Sequence, residues 1–138
     1  MTPTTELENK FLISDSHTLC KKVLFSNKEI HSVELINKKG RLVERVSNRN
    51  TINLPSNKKE MFHMSTKLQE TMKNENDEDF GKVNYSYVSR EKVAIFSCSV
   101  GENILIVTLP NTINPEPIAK DIVSFLGGDL LLPHTKCL

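Results

Sequence analysis

The chain has 138 residues and a formal net charge of +1, with 25% charged and 38% hydrophobic residues, the profile of one globular domain able to form its own core. So even a balance offers no basic footprint for nucleic acid, and no apolar run approaches the ~18 residues of a membrane-spanning helix. The opening "MTPTTELENK" lacks the basic-then-apolar order of a secretory signal, and three widely spaced cysteines (Cys20, Cys98, Cys137) do not make a disulfide framework. These features predict a cytoplasmic domain with no nucleic-acid or membrane partner.

Residues 1–8 are polar and expected to fray. Over residues 7–25, Leu12, Leu19, Cys20, Val23 and Leu24 recur at helical spacing. Ser14, Asp15 and Ser16 interrupt this stretch, which makes Asp15 a candidate N-cap. "IHSVELINKKGRLVERV" predicts two short strands joined by "NKKG", where Asn37 favours a turn and Gly40 admits a positive φ. A polar connector, "SNRNTINLPSN", follows. A second helix is predicted from Asn57, with Glu60 completing a capping box. Met61, Met64, Leu68 and Met72 form one stripe on it, whose ordinary role is the core face; a methionine-rich stripe also suits an adaptable partner surface. His63, beside the stripe, is expected in solvent, as is the charged end "KNENDED".

Three further strands are predicted. "VNYSYV" puts Val83, Tyr85 and Tyr87 on one face and Asn84 and Ser86 on the other. In "KVAIFSCS" and "NILIVTL" both parities carry apolar residues, so this hairpin is expected in the centre of a sheet covered on both sides. The last helix has the clearest start: Asn114 as N-cap, Pro115 at the first helical position, Glu116 at the positive dipole end, and Ile113 with Ile118 as a hydrophobic staple. Ile118, Ile122 and Phe125 form its inward stripe, Ala119 assists, and Gly127-Gly128 ends it. The expected architecture is a mixed α/β (α+β) fold. It has three layers, α/β/α, around a five-stranded antiparallel sheet, in the order α-β-β-α-β-β-β-α. Residues 1–126 form a single domain and 127–138 a tail.

That order, carried by "INKKGRLVE", "SREKVAIFSCSV", "ILIVTLP" and "INPEPIAKDIVSFL", resembles the roadblock/dynein light chain fold of the profilin-like group, over residues 15–126. The same segments look like a family of short, functionally uncharacterised archaeal proteins. The Asn-rich connector and the extra tail are departures from the pattern. The resemblance implies a non-enzymatic module that pairs into sheet-extending dimers and serves small GTPases or scaffolds. The candidate partner surface consists of Leu42, Val43 and Val46 on the second strand, Met61 and Met64 on the helix, and Leu130, Leu131 and Leu132 in the tail, whose leucines need cover.

Other chemistry is thinly represented. His17/Cys20 and His134/Cys137 share a His-x-x-Cys spacing that would together supply four zinc ligands, but the ordinary reading is a surface histidine, a core cysteine and a loose tail. Cys98 reads as a buried filler with no partner histidine nearby. The cations in "KKG" and "SREK" sit on turns. Gly40, Gly81 and Gly101 stand alone, without a phosphate-loop pattern. Asp77, Glu78 and Asp79 lack EF-hand spacing. No catalytic residue, metal or cofactor is therefore assigned. The alternative function is a small-molecule sensory domain, which needs a cavity between layers; the bulk of Ile95, Phe96, Ile106 and Phe125 argues against one.

Overall fold

The computed structural model describes residues 16–48 and 52–125. Helix α1 covers residues 16–26. Strands β1 (Ser32–Ile36) and β2 (Leu42–Ser47) follow, then α2 (Ser56–Asn74), a single-turn α3 (Asp77–Phe80), β3 (Ser86–Ser89), β4 (Ala94–Val100), β5 (Asn103–Leu109) and α4 (Pro115–Phe125). The expected order holds, with α3 added: its three leading acids favour a helix N-terminus and Gly81 closes it at φ 80°. The expected stop at Gly127-Gly128, the start of the first helix and the tail leucines lie outside the described residues.

The strands pair antiparallel in the order β2-β1-β5-β4-β3. The sequence-central hairpin β4–β5 is thus also central in space, and β2 and β3 are the edges. Side-chain alternation divides the sheet into two unlike faces. One carries Val33 and Leu35 of β1, Phe96 and Cys98 of β4, and Leu105 and Val107 of β5. Against it pack Cys20, Val23 and Leu24 of α1 and Ile118 and Ile122 of α4, forming the main core. Tyr85 stacks on Phe96 with centroids 5.2 Å apart, and the Tyr87 hydroxyl donates to the Ile113 carbonyl at 2.9 Å, tying edge strand β3 to the entry of α4. At that entry the Asn114 side chain accepts the Glu116 N–H at 3.1 Å, the cap that the sequence predicts.

The other face is much less apolar. Its buried cluster is Ile36, Ile104 and Ile106, joined by Phe62 of α2 and Ile95. Helix α2 lies over it and is fastened mainly by polar contacts. The Ser99 hydroxyl donates to Glu70 Oε2 at 3.0 Å, and Lys73 Nζ donates to the Ser86 hydroxyl at 2.8 Å. This overturns three expectations. The Met61/Met64/Leu68/Met72 stripe is not the core face: these side chains stand 69%, 59%, 60% and 59% exposed, because the surface under α2 is too polar to accept them. His63 is not in solvent; it is 3% exposed, under the helix. The helix begins at Ser56 after Pro55, with no side-chain cap, so Asn57 and Glu60 do not form the capping box; Asn57 Oδ1 instead takes the adjacent Lys58 N–H.

The β1–β2 turn is built as its residues dictate. Asn37 Oδ1 accepts the N–H groups of Lys39 and Arg41, and Gly40 adopts φ 77°, a conformation that costs a residue with a Cβ. The turn rests on α2: a Cβ at Gly40 would meet Met64 Cα at 3.2 Å.

Candidate functional site

Two regions stand out from the packed interior. The first is an apolar surface. The α2 stripe faces solvent, and on the neighbouring edge strand Leu42 and Val43 are 45% and 43% exposed. They sit where the β1–β2 register shifts: Ile36 pairs with Leu42 and Leu35 with Glu44, leaving Val43 as the extra residue of a bulge. Val46 is half-buried and packs on the main core. Leu130, Leu131 and Leu132 lie outside the described residues. Of the candidate surface, Leu42, Val43, Met61 and Met64 are therefore solvent-facing.

The second region is a cavity of about 520 Å³ between α2, the polar side of the sheet and the segment containing Ile52 and Leu54. Its floor carries hydroxyls from three neighbouring strands: Ser32, Thr108 and Ser97. Ser32 and Thr108 are register partners. At one end Glu34 of β1 and Arg45 of β2, also register partners, meet His63 of α2. Glu34 Oε2 lies 3.3 Å from Arg45 Nε and 3.1 Å from His63 Nε2. The histidine contact has the distance of an ion pair but not the geometry of a hydrogen bond, so Nε2 is a buried polar atom without one. A carboxylate so buried requires such neighbours, since an unpaired one costs several kcal/mol.

The cavity corrects the expectation that large side chains fill the interlayer space. Ile95 and Ile106 do lie on this side, but Ser97, Thr108 and Ser32 alternate with them and leave the volume open. Phe96 and Phe125 belong to the opposite core. Sequence reasoning passes over Glu34, Arg45 and the hydroxyl floor, and places His63 in solvent. The available signal is the serine parity in "AIFSCSV", where Ile95 is followed by Ser97 and Ser99 on one face.

The remaining candidates are placed without chemistry. His17 reaches Glu44, Nδ1 to Oε2 at 3.0 Å, while Cys20 is fully buried; burial, then the nearby Glu44 and Glu34 carboxylates, push its pKa up to about 12. Burial alone pushes the Cys98 thiol to about 12, so neither supplies a thiolate nucleophile at neutral pH. No group of three metal-ligating side chains forms among the described residues; His134 and Cys137 lie outside them. No helix of the described residues is long and apolar enough to cross a membrane.

The fold has well-matched relatives among solved structures. A roadblock/LC7 domain from Streptomyces avermitilis superposes with a TM-score of 0.63 at 11% identity, covering 86% of this chain and 95% of that one. MglB of Myxococcus xanthus gives 0.67 at 13% identity, covering 89% and 90%. A gliding protein MglB from Thermus thermophilus gives 0.60 at 9% identity, covering 80% and 87%. At such identities the likeness establishes the roadblock-like fold and nothing finer. Curated protein sequences give no significant match. A family model does match, across residues 9–131, a span that includes the whole of the fold just described, and the chain therefore belongs to the family of unknown function DUF6659.

Proposed function

We propose that this protein is a non-enzymatic interaction module that pairs with a second copy of itself through α2 and offers the resulting platform to a protein partner, a small GTPase being the class that the roadblock resemblance implies. One observation carries the reading: four large apolar side chains in helical register, Met61, Met64, Leu68 and Met72, stand exposed on one helix. Contiguous apolar surface of this kind marks interaction sites, and methionine adapts to a facing surface. Two such stripes crossing one another would cover both. The edge strands β2 and β3, each paired on one side only among the described residues, add main-chain hydrogen-bonding groups to the surface. A solved MglB described with a tetrameric arrangement, similar in fold at a TM-score of 0.65 and 12% identity over 88% of each chain, supports the view that this architecture lends itself to assembly.

Light scattering coupled to size exclusion tests the pairing. The expected mass at tens of micromolar is twice 15.7 kDa, and Met61→Glu with Met64→Glu should return it to one copy with an unchanged circular-dichroism spectrum. A wild-type protein that is monomeric at that concentration overturns the pairing. A pull-down that recovers no nucleotide-binding protein counts against the GTPase partner.

A further inference from the structure

We propose that the cavity under α2 is a binding site for a small organic anion with an apolar body. This goes beyond the pairing reading and does not rest on it. The volume, about 520 Å³, lies within the range of roughly 300–1,000 Å³ that small-molecule sites occupy. The lining is divided as a ligand of this kind requires. Phe62, Ile95 and Val88, with Ile52 and Leu54 above, supply apolar walls; Ser32, Ser97 and Thr108 supply hydroxyls on the floor.

Charge selects the ligand's sign. Lys59 and Arg90 both line the cavity, and neither side chain has an ion-pair or hydrogen-bond partner among the described residues. Lys73 adds a further cation, whereas Glu34, the single carboxylate of the lining among the described residues, is already paired with Arg45. An anionic group finds Lys59 and Arg90 available and Glu34 neutralised.

A second feature points the same way. His63, 3% exposed, lines the cavity with an Nε2 that has no hydrogen bond. Buried polar atoms ordinarily find partners, and a polar group on a bound molecule would supply one. The arrangement is also expensive as mere packing. Apolar residues at Ser97, Thr108 and Glu34 would let an apolar helix face pack there, as those of α1 and α4 do on the opposite face. The sheet instead keeps one side dry and the other hydroxylated and hollow.

The probe is 8-anilinonaphthalene-1-sulfonate, an anion with an aromatic body, set against its uncharged analogue N-phenyl-1-naphthylamine. Wild-type protein should bind the sulfonate saturably, one molecule per chain, with a fluorescence rise. The double variant Lys59→Gln, Arg90→Gln should weaken sulfonate binding at least tenfold and leave the neutral analogue within twofold. Ser97→Phe, which fills the floor, should abolish both. Met64→Glu with Leu68→Glu should change neither, since the probe would otherwise be reporting the exposed stripe of α2.

Backbone amide shifts of the wild-type protein give a readout that needs no variant: saturation with the sulfonate should move Ser32, Ser97 and Thr108. No saturable binding, loss of binding in the Met64/Leu68 variant, equal weakening of both probes in the Lys59/Arg90 variant, or shifts confined to the outer side of α2 each overturns the proposal. Should Ser97→Phe fail to fold, the shifts and the charge variant still decide.

Discussion

Glu34 Oε2 and His63 Nε2 lie 3.1 Å apart beneath α2, with 9% and 4% of their side chains accessible. This contact joins the first strand to the helix across the polar layer of the molecule, and Arg45 approaches the same oxygen at 3.3 Å. Removing one member of a buried pair costs more than the pair is worth, because the other is left without compensation. Glu34→Ala is expected to lower stability by about 3 kcal/mol. His63→Ala should cost less, because Glu34 keeps Arg45. A double-mutant cycle between positions 34 and 63, read by urea denaturation, should return a coupling of about 1 kcal/mol or more; zero coupling would mean that the contact contributes nothing.

The main core is legible in the sequence because its signals are local and mutually consistent. Val33 and Leu35 alternate with polar neighbours as a strand does, Ala94 to Val100 and Leu105 to Leu109 read as apolar strand runs, and Asn114 with Pro115 announces α4. The α2 face is misread for a physical reason. Helical periodicity says that Met61, Met64, Leu68 and Met72 share a side, but not which way that side turns. The decision belongs to the sheet beneath, where Ser32, Glu34, Ser97 and Thr108 share a face only once β1, β4 and β5 are set in register. Ser32 and Ser97 are far apart along the chain, so the face is a tertiary fact. His63 is buried for the same reason: it lies on the side of the helix opposite the methionines and meets a carboxylate that the sequence does not mark as a partner.

Ile106 tests the layered architecture. It is fully buried in the small cluster with Ile36 and Ile104, under Phe62. Ile106→Asp places a carboxylate in that cluster without a partner, at a cost of several kcal/mol against a domain stability of roughly 5–15 kcal/mol. The variant is expected not to fold, read as loss of the strand and helix signals in circular dichroism. A soluble variant with an unchanged melting curve would contradict the burial of β5 on its α2 side.

Gly40 and Gly101 separate two contributions that usually come together. Both have positive φ, 77° and 61°, so alanine at either costs about 1–2 kcal/mol for the left-handed backbone. Only at Gly40 does a Cβ also meet backbone, Met64 Cα at 3.2 Å, while at Gly101 nothing lies within 4 Å. Gly40→Ala should therefore be the more damaging, by about 1 kcal/mol or more, as α2 is pushed off the β1–β2 turn. Equal losses from the two substitutions in thermal denaturation would mean that the turn and the helix do not bear on each other.

The buried thiols predict how stability depends on alkaline pH. Burial raises Cys98 from 9.0 to about 12, and burial with two nearby carboxylates does the same for Cys20. Above pH 9 the unfolded chain gives up thiol protons that the folded chain retains, which favours unfolding. The stability associated with these groups is therefore complete below about pH 9 and falls as the pH rises towards 12, by about 1.4 kcal/mol per pH unit for each thiol over that interval. Lysines and tyrosines titrate in the same range, so the variant Cys98→Ala provides the reference. It should fold with a loss of ~1 kcal/mol near neutrality, and its stability should decline less steeply than the wild type's between pH 9 and 11. Iodoacetamide at pH 8 followed by peptide mass spectrometry gives the complementary measurement: Cys20 and Cys98 should stay unmodified in the native protein and react fully in denaturant. Rapid modification of native Cys98, or identical pH slopes for the two proteins, would show that β4 does not shield its thiol between the sheet and the helices α1 and α4.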